Sequence, residues 1–150
     1  MQDQAGEQPS LAQSIFSLKM LTCVFIGLSS GFPYYVLAQL VPAWLRTEAV
    51  DLATIGLFSL ILLPYNWKFL WAPFMDRYMP PVLGRRTGWM LLTQVSLLFT
   101  IGVLGFLQPL EAIWLAAAVC GIVAFFSASQ DVVIDAFRRE LLTDNELGLG

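Results

Sequence analysis

The sequence predicts an all-α integral membrane protein with four transmembrane helices. Three observations predict it. Apolar residues make up 57% of the chain and charged residues 13%, about half the roughly 25% charged content of an average soluble domain. The apolar residues fall into four long runs, each close to the ~20 residues that cross a bilayer as a helix. Basic residues gather in one set of connections between those runs. A soluble fold of 150 residues with a mean hydropathy of +0.69 could not hide so much apolar surface.

Composition also narrows the chemistry. The net charge of −3 is a sum over two faces of a bilayer and says little about partners. Cys23 and Cys120 lie inside apolar runs, which suits small buried hydrophobes rather than a disulfide or a metal site. The chain has no histidine, which removes His-based metal and triad chemistry. No nucleophile–base set is visible, so no enzyme activity, cofactor or nucleic-acid partner is expected.

Residues 1–17 are polar and contain no Lys or Arg. They lack the basic start of a cleavable signal peptide and read as a disordered cytoplasmic tail. Lys19 marks the membrane edge. The first span covers about 20–45. Gly27 and Gly31 form a G-x-x-x-G, which favours close helix packing over a ligand role. Pro33 removes a helical donor and is expected to bend the span. Tyr34, Tyr35 and Gln39 follow it. They are candidate substrate contacts, since bent helices line transport paths, and could equally face other helices. Trp44 suits an interfacial anchor.

The second span covers about 52–75 and carries Pro64, Pro73 and the cluster Tyr65-Asn66-Trp67-Lys68. Asn66 and Trp67 join the candidate substrate contacts. Lys68 stands eight residues before Asp76, or about 12 Å along a helix. Half the hydrocarbon core is about 15 Å. A lysine that deep calls for a partner or a water-filled cavity. The next connection concentrates charge in Asp76, Arg77, Arg85 and Arg86, with Gly84 before the arginine pair. The third span, about 88–107, is uncharged, and its Gly102 and Gly105 suit packing. It reads as a structural, lipid-facing helix.

The fourth span covers about 112–136. Ala116, Ala117, Ala118 and Gly121 offer a small-residue face. Its end turns polar with Gln130, Asp131 and Asp135. The two acids are four residues apart and share a helical face. Asp131 precedes Arg138 by seven residues, about 10 Å of helix rise. That depth resembles Lys68's, so Lys68 and Asp131 are expected to neutralise one another across a polar cavity. Asp135 would lie nearer the edge, within reach of Arg77 or Arg138. Lys19, Arg77, Arg85, Arg86, Arg138 and Arg139 fall on one side of this arrangement and Arg46 on the other. That bias puts the N-terminus in the cytoplasm. Residues 141–150 read as a cytoplasmic linker toward a missing fifth helix.

The motifs reach a family here. Asp76-Arg77 followed by Gly84-Arg85-Arg86 resembles the loop between the second and third helices of the major facilitator superfamily. The match departs from that pattern at Ala72, where a Gly is usual, and in the length of 78–83. Together with the runs at 54–60, 68–78, 84–89 and 127–131, the longer loop resembles the AmpG muropeptide permeases of bacteria. The resemblance implies the first part of a major-facilitator N-terminal bundle, in a fold of twelve or more helices in two halves. It implies proton-driven import of anhydromuropeptides from periplasm to cytoplasm across the inner membrane. Asp76, Arg77, Gly84, Arg85 and Arg86 would then form a gating loop that latches the halves. Asp131 would be the proton-coupling acid, with Lys68 and Asp135 as companion cavity charges and Gln130 beside them. The expected partners are the lipid bilayer, protons, a muropeptide and the remaining helices of the transporter. Two alternatives stay open. One is a facilitator for another amphiphilic solute, a peptide or an acyl-CoA. The other is a small four-helix membrane protein of structural or drug-export type. An exporter of that kind would want an acid in its first span, and 20–45 holds none.

Overall fold

A computed structural model of the chain describes residues 18–78 and 85–141. The expected tail at 1–17, most of the expected linker at 142–150, Gly84 and the side chains of Lys19 and Arg85 lie outside the described residues. The described residues are helical with short connections and no strand. Four helices are long and apolar enough to cross a membrane: Leu21–Thr47, Leu52–Leu70, Arg86–Gly105 and Ile113–Leu141.

The fourth span is the hub. Half of its most apolar window is buried, against 6% for the second span. It packs against all three others, most extensively the third. The packing stripe is Ala116, Cys120, Ala124 and Ala128, each fully buried and four residues apart, with Val123 and Ser127 beside it. Small side chains at that spacing let neighbouring backbones come close. The stripe starts at Ala116 as expected but does not use Gly121, where an added Cβ would meet nothing within 4 Å. The third span supplies Thr93, Leu97 and Leu104 to this core and turns Leu98, Phe99 and Phe106 outward.

The first span departs from expectation twice. Added Cβ atoms at Gly27 and Gly31 would also meet nothing within 4 Å. The G-x-x-x-G therefore makes no close helix contact among the described residues. Its inward face runs instead through Cys23, Pro33 and Leu37, centred about a quarter turn away on the helical wheel. The helix also runs on through Pro33, and the irregularity follows it as a π-helical turn, Val36–Leu40. There the Val41 amide bonds the Val36 carbonyl, five residues back.

The span ends in a tight reversal. The Val50 amide reaches back to the Leu45 carbonyl at 3.0 Å, and Ala49 takes a left-handed conformation, φ 58°. That is a Schellman closure with alanine where glycine is usual. Asp51 then caps the second span, accepting from the Thr54 amide at 2.9 Å and the Thr54 hydroxyl at 2.7 Å.

The second span is segmented. Helical pieces Leu52–Phe58, Leu63–Trp67 and Ala72–Arg77 alternate with 3₁₀ turns Ser59–Leu62 and Lys68–Leu70. Pro64 and Pro73 each open one of the later pieces. Proline lacks the donor that would continue the ladder but fits the first turn of a new helix. The chain ahead of each proline tightens to i→i+3 bonds.

Candidate functional site

The polar residues of the fourth span line up. Ser127, Asp131 and Asp135 are spaced four apart and share one face. Tyr65 and Lys68 of the second span stand opposite, three residues apart. Lys68 Nζ lies 3.7 Å from Asp135 Oδ2. The Ser30 hydroxyl of the first span donates to Asp131 Oδ1. Asp131 has no ion-pair partner among the described residues.

This corrects the expected pairing of Lys68 with Asp131, and that of Asp135 with Arg77 or Arg138. The depth reasoning assumed one straight α-helix. Lys68 instead opens a 3₁₀ turn, where rise and rotation per residue are larger. Its long stem carries the ammonium to the acid nearer the charged loop, the better hydrated end. The two side chains are 36% and 52% exposed, so the pair is half-solvated. It lines a cleft of about 270 Å³ between the second and fourth spans, along with Asp76 and Arg139.

Beside the column, Trp71 Nε1 donates to Ser129 Oγ at 3.0 Å, and its ring lies 5.0 Å from that of Phe125. The Tyr34 ring meets Tyr65 edge-on at 5.1 Å. Three buried atoms, Tyr65 Oη, Ser127 Oγ and Gln130 Oε1, have no well-formed hydrogen bond among the described residues. Of the other candidate substrate contacts, Tyr34, Tyr35, Gln39, Asn66 and Trp67 are exposed. Gln39 sits on the π-helical turn. The structure joins Tyr34 and Gln130 to the neighbourhood of the column and leaves Tyr35, Gln39, Asn66 and Trp67 on outer surfaces.

At the loop, Arg86 is the organising residue. Its Nη1 lies 2.5 Å from Asp76 Oδ1, and its Nε and Nη2 each lie 2.9 Å from Glu140 Oε1. One guanidinium thus ties together the ends of the second and fourth spans and the start of the third. Trp89 Nε1 adds a bond to the Tyr78 carbonyl at 2.9 Å. Arg77 is exposed and forms no ion pair among the described residues.

Sequence reasoning missed Ser30, Tyr65, Ser127 and Glu140. Ser30 and Ser127 were hidden among small residues, and no spacing singles out a hydroxyl that faces a carboxylate. Glu140 had a signal: an acid closing a span opposite a basic loop. Among the described residues no group of three or more His, Cys, Asp or Glu side chains could hold a metal ion.

Four apolar spans, a partly buried polar column and a charged clamp at one end describe a multi-pass membrane protein. The family described as acetyl-coenzyme A transporter 1 matches residues 14–150, and the chain belongs to that family. The anhydromuropeptide permease of Escherichia coli K12 is 46% identical over 127 residues, 85% of this chain and 26% of the permease. A Haemophilus influenzae protein described only as uncharacterized is 49% identical over 141 residues, 94% of this chain and 33% of its own length. A putative transporter AmpG 1 of Rickettsia bellii is 40% identical over 126 residues, 81% of this chain and 31% of its own length. These relatives bear out the AmpG resemblance read from the motifs. The chain spans a third or less of the length of each.

Proposed function

We propose that this chain contributes the first four helices of a proton-coupled transporter that imports anhydromuropeptides from periplasm to cytoplasm. The reading places it in a bacterial inner membrane with its N-terminus in the cytoplasm. The similarity to the E. coli anhydromuropeptide permease supports the substrate. The observation that carries the mechanism is the unequal charge of the column. Lys68 is paired with Asp135, and Asp131 is left with a hydroxyl. A lone carboxylate in a mostly apolar span is costly when ionised. A proton neutralises it and leaves when the site opens to the cytoplasm. Asp131 is therefore the coupling acid, and Lys68–Asp135 the companion pair on the cytoplasmic side.

Arg86, Asp76 and Glu140 hold one end of the bundle rigid while it rocks against the remaining helices. In this reading Arg77, Gly84 and Arg85 complete the loop that latches the two halves. Tyr34, Tyr35, Gln39, Asn66, Trp67 and Gln130 contribute to the substrate path.

The test is a hybrid in which this chain replaces the matching segment of the E. coli permease, expressed in a strain lacking that permease. Labelled anhydromuropeptide should accumulate, and a protonophore should abolish the accumulation. Uptake that ignores the proton gradient overturns the coupling. A second reading rests on the family description, acetyl-coenzyme A transporter 1. Excess acetyl-CoA that suppresses uptake where unlabelled anhydromuropeptide does not would favour it.

A further inference from the structure

The second and fourth spans hold a polar feature that the clamp and the ion pair do not use. Ser127 lies one helical turn beyond Asp131, on the side away from the charged loop, and Asp135 lies one turn nearer the loop. Tyr65 and Ser127 face one another across the two spans closely enough to interact, yet neither hydroxyl meets the full geometry of a hydrogen bond with any group among the described residues. Gln130 Oε1, one turn along from Ser127, is in the same condition. Ser127 is fully buried and Gln130 is 2% exposed.

A buried polar atom without a partner costs about 1–3 kcal/mol. Three of them on two adjoining helices are too costly to be incidental. Two facing hydroxyls with no well-formed bond between them, and an amide oxygen one turn along the same helix as Ser127, offer the three or so contacts that an ordered water requires. Replacing them with apolar residues would be the simpler way to build a packing interface.

We propose that Tyr65, Ser127 and Gln130 hold ordered water that carries protons to Asp131 from the side away from the charged loop. The proposal rests on Asp131 being the coupling acid. The water gives a proton to an Asp131 carboxylate oxygen and takes one from the next water outward, so no further reactant is needed. The Tyr65 and Ser127 hydroxyls accept and donate in turn. Tyr34, whose ring abuts Tyr65 and which is about half exposed, marks the outer mouth. The charged and titratable groups around Asp131 are Lys68 and Tyr65 from the second span, Tyr34 from the first and Asp135 on its own helix. Lys68–Asp135 occupies the opposite end of the column, so the two directions of approach to Asp131 differ in charge. Inward delivery runs past neutral hydroxyls. Release runs past an ion pair that can exchange partners.

The test uses the hybrid transporter with Tyr65→Phe, Ser127→Ala and Asp131→Asn, reconstituted in proteoliposomes. Two rates are read: solute counterflow at equal pH, and accumulation driven by a pH gradient in H₂O and D₂O. Tyr65→Phe and Ser127→Ala should keep counterflow and lose about tenfold or more of gradient-driven accumulation, the order a positioned proton-transfer group contributes. The solvent isotope effect should rise. Parent-like accumulation in both variants, with Asp131→Asn still impaired, overturns the relay and leaves the coupling acid standing. Parent-like accumulation in Asp131→Asn overturns the coupling reading itself. Loss of counterflow together with accumulation in Tyr65→Phe and Ser127→Ala assigns them a packing role and also overturns the relay.

Discussion

Replacing Arg86 with Gln should destabilise the bundle by about 1–2 kcal/mol. The guanidinium side chain is 16% exposed, while Asp76 and Glu140 are 52% and 48% exposed. A hydrogen bond to a fully charged, buried partner is worth about 1.5–3 kcal/mol, and an exposed ion pair about 0.2–1. Half-exposed acids against a largely covered arginine fall between, at roughly 0.5–1 kcal/mol for each acid. Helix dipoles add a second consideration. Arg86 lies in the first turn of the third span, and Glu140 in the last turn of the fourth. Each charge therefore sits at the helix end that disfavours it, by about 0.3–1 kcal/mol. Removing Arg86 relieves its own share but leaves the acid facing carbonyl ends without compensation. The two effects roughly offset, so the pair energies set the total.

Equilibrium unfolding in mixed micelles measures it. A double-mutant cycle with Glu140→Gln should return a coupling of about 0.5–1 kcal/mol that shrinks as salt is raised. Arg86→Lys should recover only part, since a point charge cannot serve two acids with the fixed fork of a guanidinium. A coupling below about 0.3 kcal/mol with both acids would refute the clamp as a stabilising device.

Two further outcomes follow from the reversal between the first and second spans. Ala49→Gly should stabilise by about 0.5–1 kcal/mol, because relief of left-handed strain exceeds the entropy cost of glycine in the unfolded chain; the same unfolding assay checks it. Asp51 titrates below the ordinary carboxylate value of 3.8, held there first by the Thr54 hydroxyl and then by the Thr54 amide. A depressed folded-state value means that the cap's stabilisation is complete above the ordinary value and fades as pH falls through the folded one. Asp51→Asn, which still caps but carries no charge, should therefore flatten the acid limb of a stability–pH profile, and an unchanged limb would count against the cap.

The four spans were legible because a bilayer demands about twenty apolar residues whatever the fold. The charged loop was legible because Asp76, Arg77, Arg85 and Arg86 interrupt apolar sequence so abruptly. Pairing was not legible, because it depends on rotation about each helix axis. Asp131 and Asp135 share a face, so a lysine opposite can reach either. The 3₁₀ turn at Lys68–Leu70 decided the matter, and nothing in the residues around Pro73 states which way it turns the lysine. The glycines failed for a related reason: G-x-x-x-G permits close approach but does not compel it, and Gly27 and Gly31 are exposed with room for a Cβ. Glu140 drew no role because it borders the expected linker, yet the helix continues through Leu141 and carries it to Arg86.

The placement of these contacts has a mechanical consequence. Lys68 holds the fourth span at Asp135, and Asp76 is held to Glu140 of the same span through Arg86. Asp135 and Glu140 are five residues apart, about 7.5 Å of helix rise. The part of the second span between Lys68 and Asp76 is thus fixed at both ends to one neighbour. Its outer part, ahead of Lys68, has no such fastening among the described residues and contains the 3₁₀ turn Ser59–Leu62 and Pro64. Ahead of Lys68 the second span is held instead by apolar packing, with Phe58 in the core and Ile61, Leu62 and Tyr65 against it. The two spans are thus joined by charge at the loop end and by apolar packing beyond it. Tyr65, facing Ser127, stands where the one kind of contact gives way to the other.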